Sequence, residues 1–310
     1  MHVRSYLPTD GPAVDALLDA RLAADGREPL SEHKAMRIGT ADALQLVVEI
    51  GGMVVAYAIA AHHDAGEGHS AVEIVVTPDE SDPTALVAVL GAEVRRLVPF
   101  GEVLTLWGWR PYEKAAAGRQ RWPEARRLLE MKVPLPVPGE PAPPPECVVI
   151  DVFRRGRDED AWIAANAAAF ADHPENGSVD RADLEVRMEQ PWFDPDGFLM
   201  AWEGRRLLGS CWTKVHPGGV GEIYIIGVIP AAQGRGLGRA LLRAGLDDLA
   251  HRQGATQGML YVAGDDHRAL ALYRRMGFET AFALSEFAIP ASNASGPVED
   301  QPKGWRQEGQ

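Results

Sequence analysis

Basic residues are in short supply: Lys and Arg number 31 against 44 Asp and Glu, a formal net charge of −13 over 310 residues. A nucleic-acid backbone requires a basic face, so the charge argues against that partner and is compatible with a cationic or neutral small substrate. Cysteine is scarcer still. Cys147 and Cys211 are the only two; they lack metal-type spacing and form no disulfide framework, which fits a reducing compartment, and neither is a strong nucleophile candidate. No apolar run approaches the roughly eighteen residues that a membrane span requires, and no charged-then-apolar leader opens the chain. These gaps point to a soluble, cytoplasmic monomer without metal or membrane partner. The remaining composition, 46% hydrophobic and 24% charged, fills ordinary cores, and the length suits two domains better than one.

Proline is unevenly spread. Residues 132–146, "KVPLPVPGEPAPPPE", can continue neither a helix nor a central strand and favour a semi-rigid extended spacer. The sequence therefore predicts a domain over 1–135, a linker over 136–147, a second domain over 148–290 and, from the polar, aperiodic run 291–310, a disordered tail. The same pattern recurs on both sides of the linker: a short strand, helical stretches, a run of strands, a helix, and strands to close. "AVEIVVTP" in the first half answers "EIYIIGVIP" in the second. Val3 aligns with Val152 at the same spacing that aligns Glu73 with Glu222, which indicates an internal duplication with a mixed α/β fold in each half.

The stretch least like generic packing is "IPAAQGRGLGRALL", residues 229–242, between that apolar strand and an amphipathic helix. Backbone N–H groups at a helix N-terminus point outward unpaired, and glycine lets a diphosphate approach them without a Cβ clash. The G-x-G-x-G spacing fits neither the dinucleotide fingerprint nor the Walker motif. Taken alone, it is also compatible with an ordinary glycine-rich turn.

With "LYVAGDDHRALALYRRMGF" some thirty residues further on, this turn resembles the coenzyme A core of the GNAT acyltransferase superfamily over most of residues 148–289. "HPENG" (173–177), "EQPWFDPDGF" (189–198), "WTKVHP" (212–217) and "GEIYIIGV" (221–228), with the tandem layout, resemble the mycothiol synthase family. That family acetylates the cysteinyl amine of a cysteinyl-glucosaminyl-inositol with its C-terminal unit. The resemblance implies two tandem GNAT-fold domains of class α/β (α+β), each a mixed, mostly antiparallel sheet flanked by helices. It also implies acetyl-CoA as co-substrate and a small-molecule amine as acceptor.

An acceptor amine with a pKa of about 8 is mostly protonated at neutral pH, so attack on a thioester requires a base or a water relay. Glu222, within an otherwise apolar strand, is a candidate; alone it also reads as a strand-edge glutamate. Tyr273 reads as a packing residue beside Leu270 and Leu272, and by resemblance as the acid that protonates the departing thiolate. Gly227 marks a bulge, a close approach or simple packing. By resemblance, the backbone of Ile226, Gly227 and Val228 meets the pantetheine arm. The same resemblance implies that Gln233, Gly234, Arg235, Gly236, Leu237, Gly238 and Arg239 hold the pyrophosphate and that Asp266, His267, Arg268, Ala269, Leu270 and Ala271 complete the coenzyme site. Glu32, Glu175, Lys214, Glu222 and Tyr261 match positions that contact the acceptor.

The chain departs from the family pattern twice. Asp265-Asp266 stands where the family has Asp-Asn, which removes a donor amide. In the first half, "TPDESDPTALVAVL" (77–90) replaces the glycine turn and sets Asp79, Glu80 and Asp82 where a phosphate would bind, so the first unit is expected to have lost coenzyme A. The His-rich "AHHDAGEGH" (61–69) reads as a solvated loop without fixed ligand geometry. The alternatives are a GNAT enzyme for another small amine and a non-catalytic acetyl-CoA sensor; retention of both Glu222 and Tyr273 speaks against the sensor.

Overall fold

The computed structural model describes residues 1–62, 68–99, 101–171, 179–216 and 218–291. Most of the His-rich loop, the predicted tail from 292 on, and Glu175 lie outside them. The described residues form two compact units: Met1–Arg127 with the segment from Leu284 on, and Leu128–Ala283.

In the first unit the order is β1 (His2–Ser5), α1 (Gly11–Asp25), α2 (Glu32–Ala35), β2 (Ala43–Ile50), β3 (Met53–His62), β4 (His69–Val76), α3 (Pro83–Leu97), β5 (Val103–Gly108) and α4 (Pro111–Gln120). Strands β1 to β4 are antiparallel neighbours, and β4 pairs with β5 in parallel from His69 to Glu73. Pro83 at the helix start and the Asp82 carboxylate, which accepts from Ala85 N–H at 3.0 Å, begin α3. Helix α4 was not legible in the sequence; its buried residues are Glu113, Ala116 and Ala117.

The second unit repeats this order. The strand β6 (Glu124–Pro134) enters it, followed by β7 (Val148–Val152), α5 (Glu159–Ala169), α6 (Arg181–Met188), β8 (Phe198–Glu203), β9 (Arg206–Val215), β10 (Val220–Val228), α7 (Leu237–His251), β11 (Gln257–Ala263), α8 (His267–Arg275) and β12 (Glu279–Ile289). Strand alternation gives the sheet two apolar faces. Leu199, Ala201, Cys211 and Ile223 pack with Leu241, Leu242 and Leu246 of α7 and Leu270 and Tyr273 of α8. Phe198, Met200, Trp212 and Ile225 pack with Trp162 of α5 and Leu184 of α6, with Phe198 and Trp212 stacked at 4.3 Å.

The contacts divide the chain differently from its proline content. The predicted linker belongs to the second unit, where Val137 is buried, and the units exchange their closing strands. Residues 128–134 of β6 pair antiparallel with β11 in the second unit. Residues 285–289 of β12 pair antiparallel with β5 in the first, where Phe287 and Ile289 join the core.

Candidate active site

The site of the second unit is built at a fork. Strands β10 and β11 run parallel and pair through three positions, Val220 with Gln257, Gly221 with Gly258 and Glu222 with Met259. Beyond Glu222 that pairing ends, while β10 stays bonded to β9 on its other side. Glu222 is therefore an interior residue, 7% exposed, which excludes the strand-edge reading. Its Oε2 lies 2.7 Å from His216 Nε2.

The β9–β10 register slips between Ile223 and Ile225, so the bulge falls at Tyr224 and not at Gly227. An extra residue turns two successive side chains toward one face, and Tyr224 and Ile225 both pack on the α5–α6 side. Gly227 marks a close approach instead: a Cβ there would meet Phe170 at 2.8 Å and Ala169 at 3.1 Å.

Lys214 is the cross-strand partner of Glu222. Its ammonium sits 4.4 Å above the Trp192 ring and 5.3 Å above Tyr224, an electrostatic attraction to the ring faces. Tyr261, two residues beyond Met259 and on the same face by strand alternation, is 40% exposed and donates its hydroxyl to Glu130 Oε2 at 3.0 Å. Lys132 pairs with the other Glu130 oxygen at 3.1 Å. A polar strip of Lys214, Glu222, Tyr261, Glu130 and Lys132 thus crosses one face of the sheet. Glu32 opens α2 in the first unit.

Tyr273 lies in the core of the opposite face, 7% exposed. Burial, reinforced by the charge of Asp266, pushes its phenol well above the ordinary tyrosine range and keeps it protonated. Asp266 caps α8, accepting from Ala269 N–H at 2.9 Å. Replacing the family's Asn with Asp thus retains a helix cap and adds a favourable charge at the helix N-terminus.

The glycine turn closes the site. Gly234 and Gly236 have φ of +81° and +84°, a region that costs a side chain roughly 1–2 kcal/mol, and open space surrounds both. Gly236 caps α7 without a side-chain bond, so the first N–H groups of a 15-residue helix face outward. Gln233 ties the turn to both neighbours, donating to Val228 C=O at 3.1 Å and accepting from Arg268 at 2.6 Å. Arg235 pairs with Glu203 at 2.6 Å. The donor set suits a diphosphate: outward N–H groups, no capping carboxylate, and Arg239 on the first turn of the helix.

The corresponding loop of the first unit has the opposite chemistry. Glu80 Oε1 accepts from Ser81 N–H at 2.8 Å and Asp82 N–H at 3.2 Å, and Asp82 caps α3. Its own carboxylates occupy the donors a phosphate would need. Glu73, the aligned counterpart of Glu222, stands at the last paired position of the β4–β5 fork. Lys34 Nζ holds its Oε1 at 3.1 Å and Ser31 N–H its Oε2 at 2.7 Å. Burial would raise this carboxyl, but the Lys34 ammonium and the bonds from Ser31 outweigh it and hold the group below the usual range.

Sequence reasoning singled out neither His216, Trp192 nor Glu130. Each lies in or beside a quoted segment, yet its role appears only across strands.

Fork, turn and helix order define a GNAT-type acyltransferase, and the model of the acetyltransferase (GNAT) family matches residues 163–278. Over 295 residues the chain is 41% identical to the mycothiol acetyltransferase of Geodermatophilus obscurus, covering 87% of this chain and 91% of that one. Over 301 residues it is 39% identical to the mycothiol acetyltransferase of Catenulispora acidiphila, covering 89% and 94%. Among solved structures, a tandem GNAT protein from the clavulanic acid biosynthesis pathway shares the fold with a TM-score of 0.68 at 17% identity, over 95% of this chain and 99% of that one. A GCN5-related N-acetyltransferase from Sphaerobacter thermophilus gives 0.67 at 23% identity, over 93% and 95%. The chain belongs to the mycothiol acetyltransferase family and is an acyltransferase.

Proposed function

We propose that the chain transfers the acetyl group of acetyl-CoA to the cysteinyl amine of cysteinyl-glucosaminyl-inositol, giving mycothiol, by direct attack in a ternary complex. The observation that carries this reading is the fork: a buried carboxylate where two strands part, beside an uncapped helix N-terminus. The relatives are named mycothiol acetyltransferases, and the resemblance of the sequence to the mycothiol synthase family supplies the cysteinyl glycoside as acceptor. The pyrophosphate rests on residues 233–239 and the start of α8, and the pantetheine arm extends between β10 and β11 along Ile226, Gly227 and Val228.

Glu222 takes one proton from the acceptor ammonium, and the freed amine attacks the thioester carbonyl. The C–S bond then breaks. Tyr273 donates its hydroxyl proton to the departing sulfur and recovers a proton from the nitrogen of the new amide, so one proton ends on Glu222 and one on the CoA thiol. A buried, protonated phenol and a buried carboxylate on opposite faces of a fork suit this division.

Purified protein mixed with acetyl-CoA releases free thiol when the cysteinyl glycoside is added and stays silent without an acceptor. Faster turnover with polyamines or amino acids would replace the acceptor. Binding of acetyl-CoA with no turnover on any amine would make the chain a sensor.

The carboxylate-filled loop at 79–82 supports a division of labour in which only the second unit binds acetyl-CoA. Calorimetric titration is expected to give one equivalent per chain; a stoichiometry near two would return a coenzyme site to the first unit.

A further inference from the structure

We propose that His216 is the positioning residue of the transfer: it commits one oxygen of Glu222 and leaves the other, Oε1, as the atom that takes the acceptor's proton. The assignment rests on the acetyl-transfer reading given above. A carboxylate has no hydrogen to give, so the 2.7 Å contact is His216 Nε2–H donating to Glu222 Oε2. The backbone that carries the imidazole is itself held in place. His216 N–H bonds to Val220 C=O at 2.9 Å and His216 C=O accepts from Gly219 N–H at 3.1 Å, which fixes the β9–β10 hairpin that carries it. The His216 side chain is 28% exposed and that of Glu222 9%, so the ring is the more solvent-accessible partner of the pair.

The duplicated half provides an internal comparison. Glu73 stands at the same place in its fork, and both of its oxygens are bonded, one to Lys34 and one to Ser31. In the second unit, among the described residues, His216 takes Oε2 and no hydrogen bond or ion pair reaches Oε1. The carboxylate with a remaining oxygen lies in the half that keeps the glycine turn. The proton balance is simple: the ammonium N–H bond breaks, the Oε1–H bond forms, and His216 keeps its own proton. Three other groups bear on Glu222: Lys214 opposite it on β9, whose ammonium rests over Trp192 and Tyr224, and Tyr261 with Glu130 on the same face of β11 and β6. Their charges are unchanged by substitution at 216.

Two substitutions separate positioning from packing. His216→Gln keeps an N–H donor within reach of Glu222, and His216→Leu removes it. The leucine variant is expected to lose roughly ten- to a hundred-fold in kcat, the scale of a lost outer hydrogen bond, with acetyl-CoA affinity unchanged. The glutamine variant is expected to recover most of kcat. In a Glu222→Gln background the leucine substitution should cost nothing further.

A measurement on the free protein is independent of any acceptor. At a fixed pH, the carboxyl carbon resonance of Glu222 should move in the leucine variant, which has lost the donor to Oε2, and stay close to wild type in the glutamine variant. Equal loss in both variants, an unmoved resonance with leucine, or the same cost of leucine with and without Glu222 would overturn the proposal. Failure of the wild type to acetylate any amine, with the resonance change intact, would instead overturn the function reading.

Discussion

Glu222→Gln is expected to lower kcat by about a hundred- to ten-thousand-fold, the usual cost of removing a general base, while acetyl-CoA binds as to wild type. The amide has nearly the shape of the carboxylate, and its carbonyl still accepts from His216, so the fork and its packing persist. What is lost is an oxygen able to hold a proton. On the proposed reading, coenzyme binding rests on the turn at 233–239 and is expected to be unaffected. The deficit should narrow as pH rises through about 8, where an α-amine loses its proton unaided. Single-turnover rates across pH 6.5–9 check this, and a deficit constant over the range would remove Glu222 from proton transfer.

A chain ended after Ala283 is expected to lose the cooperative melting of the first unit. The missing strand supplies Phe287 and Ile289 to that core, each worth roughly 1.5–3 kcal/mol when buried. It also supplies Glu286, which accepts from the buried Thr105 hydroxyl at 2.6 Å. Removing these and baring the β5 edge takes away several kcal/mol from a domain whose total stability is about 5–15, and an unpaired edge invites aggregation. Ending the chain after Ala291 instead keeps the strand and should leave melting unchanged. Calorimetry of the two truncations checks this; a wild-type transition in the shorter chain would show that the first unit closes without β12.

Much of this was legible from the sequence because it is written locally. The glycine turn, the amphipathic α7 and the apolar strand interrupted by Glu222 each fit within a dozen residues, and the common spacing of Glu73 and Glu222 exposed the duplication. Helix α4 was hidden because "PYEKAAAGRQ" lacks an apolar stripe: its buried face is two alanines and Glu113, whose carboxylate pairs with Arg110 at 2.9 Å. The strand exchange was hidden for another reason. Alternation in β6 and β12 fixes which side chains face a core but not which neighbour the backbone joins. His216 was invisible because a histidine before a hairpin gains meaning only when β9 and β10 bring it back onto Glu222.

The Lys34–Glu73 pair has a historical consequence. On the proposed division of labour, restoring a phosphate-binding turn at 79–82 would not by itself make the first unit catalytic, since both oxygens of its fork carboxylate are bonded. Freeing one means breaking a largely buried ion pair, at a cost of about 3–5 kcal/mol when a single partner is removed. Each step back would pass through a less stable protein that has gained nothing. On the proposed division of labour, the Lys34–Glu73 pair thus holds the first unit away from catalysis independently of its missing glycine turn.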